Sequence, residues 1–205
     1  MTISPTKQKV MDAASSLFYQ KGFHGTSVRD IAEKADVNVS LISYYFKGKQ
    51  GLLEFAVTSY YEAYLKELED TWNESVGQTA FEQLKKIIFT IIHYKASNHQ
   101  FSCFIHRELS LDSIFVREMA VTYLAKEHHI ISNAFFQALR EANHGNTDYD
   151  ILLLQLKGMI AAPYILEDNR KNQPFDDYGR NQFVNRYVKT IHDWLGYLVN
   201  QQITI

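Results

Sequence analysis

Residues 26–49 run Thr26-Ser-Val-Arg-Asp-Ile-Ala-Glu-Lys-Ala-Asp-Val-Asn-Val-Ser-Leu-Ile-Ser-Tyr-Tyr-Phe-Lys-Gly-Lys49, and the reading of the whole chain turns on them. Two short helices are written here, each with its own start signal. Ser27, or Thr26 beside it, can cap the first, with Asp30 three residues on where a capping-box acid reaches back. Ile31, Ala32 and Ala35 form its apolar stripe, and Ala35-Asp36-Val37 leaves room only for a tight turn before Asn38 caps the second helix. At helical spacing Leu41, Ile42, Tyr45 and Phe46 fall on one side of that helix. Val39, Ser40, Ser43, Tyr44 and Lys47 fall on the other.

The second set is a mostly small, uncharged face, of the kind a major groove about 12 Å wide admits. Two ordinary amphipathic helices are the alternative reading, but cap, turn, second cap and aromatic stop coincide here, and such agreement across levels favours a helix-turn-helix. Phosphate contacts are expected from Ser27, Asn38, Tyr45, Lys47, Lys49 and the helix N-termini. Arg29 is the one guanidinium near the groove and the best candidate for a base contact, with guanine its preferred partner. Val39 and the Ser and Tyr side chains suit thymine methyls and water-mediated reading, with DNA shape adding specificity.

The charge distribution agrees. Residues 1–50 hold seven Lys/Arg against four Asp/Glu, or +3, which leaves −5 for residues 51–205 of a chain whose net charge is −2. The basic part is the part that would meet phosphate. The excess is small, so strong binding calls for two copies on one duplex.

The remainder reads as helix after helix. Residues 7–21 form a first helix stopped by Gly22, and a long fourth helix over 50–73 follows Lys47-Gly48-Lys49. Further helices are expected at 79–97, 99–109, 112–143, 148–168 and 180–202. No period-2 strand pattern, internal repeat or low-complexity segment is visible. The expected fold is therefore all-α: an N-terminal three-helix head at 1–49, and a larger helical body at 50–205, about nine helices in all.

Two of the body's helices carry apolar surface on nearly every side. Around Leu154, Gly158, Ala161 and Ala162, small residues allow close backbone approach, and the last helix repeats the theme with Tyr187, Ile191, Trp194 and Leu198. An internal core is one reading; the favoured one is a homodimer in which both helices pair with their twofold mates. A twofold protein presents two recognition helices to two half-sites, so its operator should be palindromic.

The run Gly25-Thr-Ser-Val-Arg-Asp-Ile-Ala32, then Val37-Asn-Val-Ser40, then Tyr44-Tyr-Phe-Lys-Gly-Lys-Gln-Gly-Leu-Leu53 resembles the DNA-binding domain of TetR-family regulators. The resemblance covers residues 7–55 specifically and the all-α layout loosely. It implies a three-helix head joined through a fourth helix to a body whose last two helices make the dimer. By matching positions it also implies DNA contacts at Ser27, Arg29, Val39, Ser40, Ser43, Tyr44, Tyr45 and Lys49. The chain departs from the family at Ser43, where most members carry tyrosine, at Asn38, where serine is usual, and at Gly48, where a small polar residue is common. With Ile42-Ser-Tyr-Tyr-Phe-Lys-Gly-Lys49 followed by Ser59-Tyr-Tyr-Glu62, it resembles a branch of the family that regulates cell division in spore-forming bacteria. That resemblance implies palindromic sites near the chromosome origin and an effect on the division protein FtsZ; a ligand-responsive repressor is the alternative.

Other chemistry is weaker. His99, Cys103 and His106 would share a helix face, a conceivable metal-sensing set, but no fourth donor is identifiable and a partly buried polar stripe is the plainer reading. There is no Gly-rich phosphate loop, G-x-S-x-G elbow or H-E-x-x-H, so no catalytic residue, metal or cofactor is expected. Aromatics such as Phe81, Phe89 and Tyr94 could line a pocket for a small apolar effector, although core packing is their commoner role. Arg107-Glu108 and Arg117-Glu118 interrupt apolar helices and read as solvated surface, or alternatively as a surface for a protein partner. A single cysteine, the lack of an apolar run of about 18 residues and an N-terminus without a signal-like core point to a cytoplasmic, nucleoid-associated protein with no membrane partner.

Overall fold

The computed structural model describes residues 4–110, 114–142, 148–166 and 177–200. Among these the chain is helical throughout: α1 (Pro5–Lys21), α2 (Val28–Ala35), α3 (Val39–Phe46), α4 (Lys49–Glu74), α5 (Ala80–Ser97), α6 (His99–Ser110), α7 (Ile114–Glu141), α8 (Tyr149–Ile165) and α9 (Asp177–Asn200). The all-α expectation holds. The helix ends lie within a few residues of those the apolar periods and caps predict.

The caps explain the early boundaries. Ser4 accepts from the Lys7 N–H with Pro5 in the first turn, and α1 stops where Gly22 takes φ 73. Ser27 and Asp30 make a full capping box on α2, with Ser27 N to Asp30 Oδ2 at 2.9 Å and Asp30 N to Ser27 Oγ at 3.1 Å. Asp36 then turns left-handed at φ 52, and Asn38 Oδ1 accepts from the Ser40 N–H at 2.8 Å to start α3. Left-handed Lys47 (φ 58) and Gly48 (φ 104) are the two residues that end α3 and lead into α4.

Close contacts gather the chain into two compact units, Met1–Ala63 with Asn98–Val121, and Tyr64–Ser97 with Thr122–Ile205. Helix α6 thus belongs with the head, and α4 and α7 each contribute residues to both units.

In the first unit, Val10, Ala14 and Phe18 of α1, Ile31 of α2, Ile42 of α3 and Leu52 and Leu53 of α4 are fully buried. Phe18 stacks on Phe104 of α6 with centroids 5.3 Å apart, a pair worth about 0.5–1.5 kcal/mol beyond its buried area. Tyr60 and Ser102 share a buried hydrogen bond of 2.8 Å.

In the second unit α5 packs on α8 and α9, and Leu84, Ile87, Ile88, Ile91 and Ile92 of α5, Phe135 and Leu139 of α7, Leu156 and Ile160 of α8, and Val188, Ile191 and Leu195 of α9 are buried. A buried ion pair crosses it: Lys95 Nζ and the Tyr64 hydroxyl both donate to Glu127 Oε1, at 2.8 and 2.6 Å. Removing either charged partner would break a buried pair in a low dielectric. Pro163 lies inside α8, and having no N–H it leaves the Met159 carbonyl without its helical donor. The Tyr187 hydroxyl of α9 donates to that carbonyl at 2.7 Å and so joins the two helices.

Candidate nucleic-acid interface

Helix α3 is held from behind. Ile42 and Phe46 are buried beneath it, and the Phe46 ring meets Phe55 of α4 at 5.4 Å. Its other side is open: Ser40, Ser43 and Lys47 are exposed, Val39 is 40 % exposed and Tyr44 79 %. Tyr45 is half-buried, edge-on to Tyr44, and the Lys7 ammonium lies 5.4 Å from its ring centre. Lys7 therefore brings the first turn of α1 beside the recognition helix, a neighbour that residues 26–49 alone do not reveal.

The capping residues keep donor capacity. Ser27 Oγ accepts from Asp30 N, which leaves the hydroxyl proton to donate outward, and Asn38 uses its carbonyl oxygen on Ser40, which leaves the amide N–H groups. The Ser27 backbone and side-chain hydrogen bonds hold the Asp30 carboxyl below its usual pKa. Arg29 stands exposed in the first turn of α2. Ser27, Arg29, Asn38, Val39, Ser40, Ser43, Tyr44 and Lys47 are thus all exposed on the two helices and their caps, and Tyr45 is half-buried.

Lys49 is placed differently from the expectation of a groove-facing cation. Its ammonium turns inward onto the carbonyls of Phe23 (2.8 Å) and Thr26 (2.7 Å) and lies 4.4 Å from the Phe23 ring centre. A lysine at the start of a helix has several carbons of reach, and sequence spacing does not say which way it swings.

Gly51 is a determinant that the motif reading passes over. A Cβ there would stand 2.0 Å from the Phe46 carbonyl oxygen, so only glycine lets α4 start so close to the end of α3. The Lys47-Gly-Lys-Gln-Gly51 spacing carries that signal.

Away from the head, Leu154 (65 % exposed) and Gly158 of α8 lie open, with Ala161 and Ala162 partly so. Ile151 and Ile165 extend the same stripe. On α9, Tyr187 and Trp194 are partly exposed, but Ile191 (1 %) and Leu198 (7 %) are buried in the chain's own core, so they are not on an open interface face. Their helical phase is that of Val184, Val188 and Leu195, turned towards α5.

The solvated or partner-facing reading of Arg107 and Glu108 is also corrected. Arg107 donates to the carbonyls of Phe18 (2.6 Å) and Tyr19 (3.0 Å) at the end of α1, and Glu108 is 8 % exposed. Glu118 is exposed on α7, while the Arg117 side chain lies outside the described residues. His99 and Cys103 do meet, with Sγ 3.6 Å from Nε2, yet no three His, Cys, Asp or Glu converge as a metal site among the described residues. No helix among them is long and apolar enough to cross a membrane.

Residues 10–56 match the sequence profile described as "Bacterial regulatory proteins, tetR family". Over 199 residues the chain is 40 % identical to the "Probable HTH-type transcriptional regulator YttP" of Bacillus subtilis (strain 168), which covers 93 % of this chain and 92 % of that protein. The chain belongs to the tetR family of bacterial regulatory proteins. Solved structures agree in fold with this tetR-family chain. A "putative fatty acid metabolism regulator" of Clostridium perfringens superposes with TM-score 0.72 at 21 % identity, covering 96 % of this chain and 99 % of that one. The "fatty acid degradation regulator FadR" of Bacillus halodurans does so with TM-score 0.71 at 17 % identity, over the whole of both chains. As a tetR-family transcriptional regulator, the chain carries its family's defining element in the head formed by α1, α2 and α3.

Proposed function

We propose that this regulator binds palindromic duplex DNA as a homodimer, with residues 1–49 reading the operator and residues 50–205 serving dimerisation and regulation. The observation that carries the reading is the open face of α2 and α3, where a small, uncharged recognition surface is flanked by Arg29 and Lys47 and backed by a rigid apolar seat. Such a face fits a major groove, with the bases read from the N-terminal half of the helix. The exposed stripe of Ile151, Leu154, Gly158 and Ile165 on α8 supports a partner there, and a second copy is the partner that a palindrome requires.

For the output of the body we propose a RefZ-like role: a chromosome-bound regulator that acts on the division protein FtsZ in sporulating cells and works from the nucleoid. The resemblance of Ile42–Lys49 and Ser59–Glu62 to that branch supports it. The alternative is a repressor released by a small apolar effector held in the aromatic-rich body, whose DNA affinity would fall by about 1–3 kcal/mol of coupling when the effector binds.

Selection from a random duplex pool at moderate salt tests the first reading. A single enriched palindrome is the expected outcome, and enrichment of none sinks it. A genome-wide binding map then separates the two outputs. Several origin-flanking palindromes outside promoters fit the RefZ-like role, whereas one or two promoter sites near the chain's own gene fit the released repressor.

A further inference from the structure

Lys7, in the first turn of α1, brings its ammonium to within 5.4 Å of the centre of the Tyr45 ring of α3 and 5.6 Å of that of Phe55 of α4. Ring faces attract a cation, but they do not replace the hydrogen bonds that a charged oxygen accepts. No side-chain hydrogen bond or ion pair of Lys7 occurs among the described residues, and the nearest acid along α1, Asp12, accepts from Gln8 Nε2 at 2.8 Å instead. The half-buried ammonium is thus held in place with its three donors uncommitted. A fixed cation with no anion in its own chain is free to take one from a partner.

The partner follows from where Tyr45 stands on α3. Ile42 and Phe46 are buried behind that helix, and Tyr44, 79 % exposed, faces away from them. At about 100° per residue Tyr45 falls roughly a quarter turn from the buried line, on the flank of the helix, which agrees with its half-burial. A helix with its side chains is about 10–12 Å across and the major groove about 12 Å wide. A helix that reads bases with its outer face therefore meets the sugar-phosphate walls with its flanks. Tyr45 and the cation over its ring are on such a flank, so a phosphate that the Tyr45 hydroxyl meets is within reach of Lys7 as well. Lys9 is exposed too, but two residues on it points about 200° away round α1.

We infer that Lys7 is a DNA contact of this chain: from α1 it neutralises a backbone phosphate at the wall of the groove that α3 enters, beside Tyr45. This rests on the DNA-binding reading above, and the test separates the two. Each neutralised phosphate contributes about 0.9 to the slope of log affinity against log salt, so the two copies of Lys7 in a dimer carry about 1.8. Binding of the full-length protein to its selected palindrome is measured across a salt series for the natural chain, Lys7→Met and Lys9→Met. Methionine keeps the carbon stem against the two rings and removes the charge. Lys7→Met should lower the slope by about 1.8 and leave the ranking of duplex sequences unchanged, because a phosphate carries no sequence. Lys9→Met should keep the natural slope.

A natural slope in Lys7→Met, with affinity kept or lost, overturns the inference and leaves the DNA-binding reading standing. Equal flattening by Lys9→Met overturns it too, since the overall charge of the head is then the cause. A natural chain that shows no salt-dependent binding to any duplex overturns both. Should Lys7→Met fail to fold, lysine acylation of the natural chain followed by mass spectrometry decides. Lys7 should react in the free protein and be shielded by the palindrome, while Lys9 reacts in both states. Equal reactivity of Lys7 with and without DNA overturns the inference.

Discussion

Single residues carry the specificity of the proposed interface. Arg29 is exposed, stands at the start of α2 and presents a bidentate fork, so Arg29→Ala should cost about 1–3 kcal/mol on the selected site and relax discrimination at one base position. Competition binding against single-base variants of the palindrome checks it; a uniform loss across all variants would assign Arg29 to the backbone instead. In the body, the Tyr187 hydroxyl answers the carbonyl that Pro163 leaves without a donor. Tyr187→Phe should therefore destabilise the fold by about 0.5–1.5 kcal/mol, the net worth of a half-buried hydrogen bond, as read by urea denaturation. An effect below a few tenths of a kcal/mol would mean that water takes over the bond. Residues whose task is fixed by local spacing, such as Ser27, Asp30 and Asn38, were legible in the sequence. Lys49 and Arg107 were not, because long side chains choose partners that are distant along the chain, 23 to 26 and 88 to 89 residues away.

At the scale of elements, legibility followed the strength of the local signals. Capping box, left-handed Asp36 and glycine stop each leave a mark on residue type, and the early helices begin and end where those marks stand. The faces of α8 and α9 were harder. Both helices are apolar on several sides, so periodicity alone does not say which side meets α5, and Ile191 and Leu198, expected at a twofold interface, pack inward. The junction of α3 and α4 also has a requirement of its own. Gly51→Ala would place a methyl 2.0 Å from the Phe46 carbonyl, against rigid backbone, and must push the two helices apart. The variant should retain its helical circular dichroism while losing at least tenfold in operator affinity. Unaltered affinity would show that the junction yields without moving α3.

For the molecule as a whole, the proposed assembly rests on the open stripe of α8. Leu154 is 65 % exposed in the single chain, so Leu154→Asp should leave the protomer folded yet shift sedimentation from dimer to monomer. A variant that remains dimeric would place the interface elsewhere. If the stripe is covered only by a second copy, apparent thermal stability rises with protein concentration, because association draws material out of the unfolded pool. A palindrome binds two protomers at once and so adds its own binding free energy to that of pairing. At low copy number the operator would then promote the assembly that reads it, and the population of intact dimers would follow the number of free sites as well as the amount of protein.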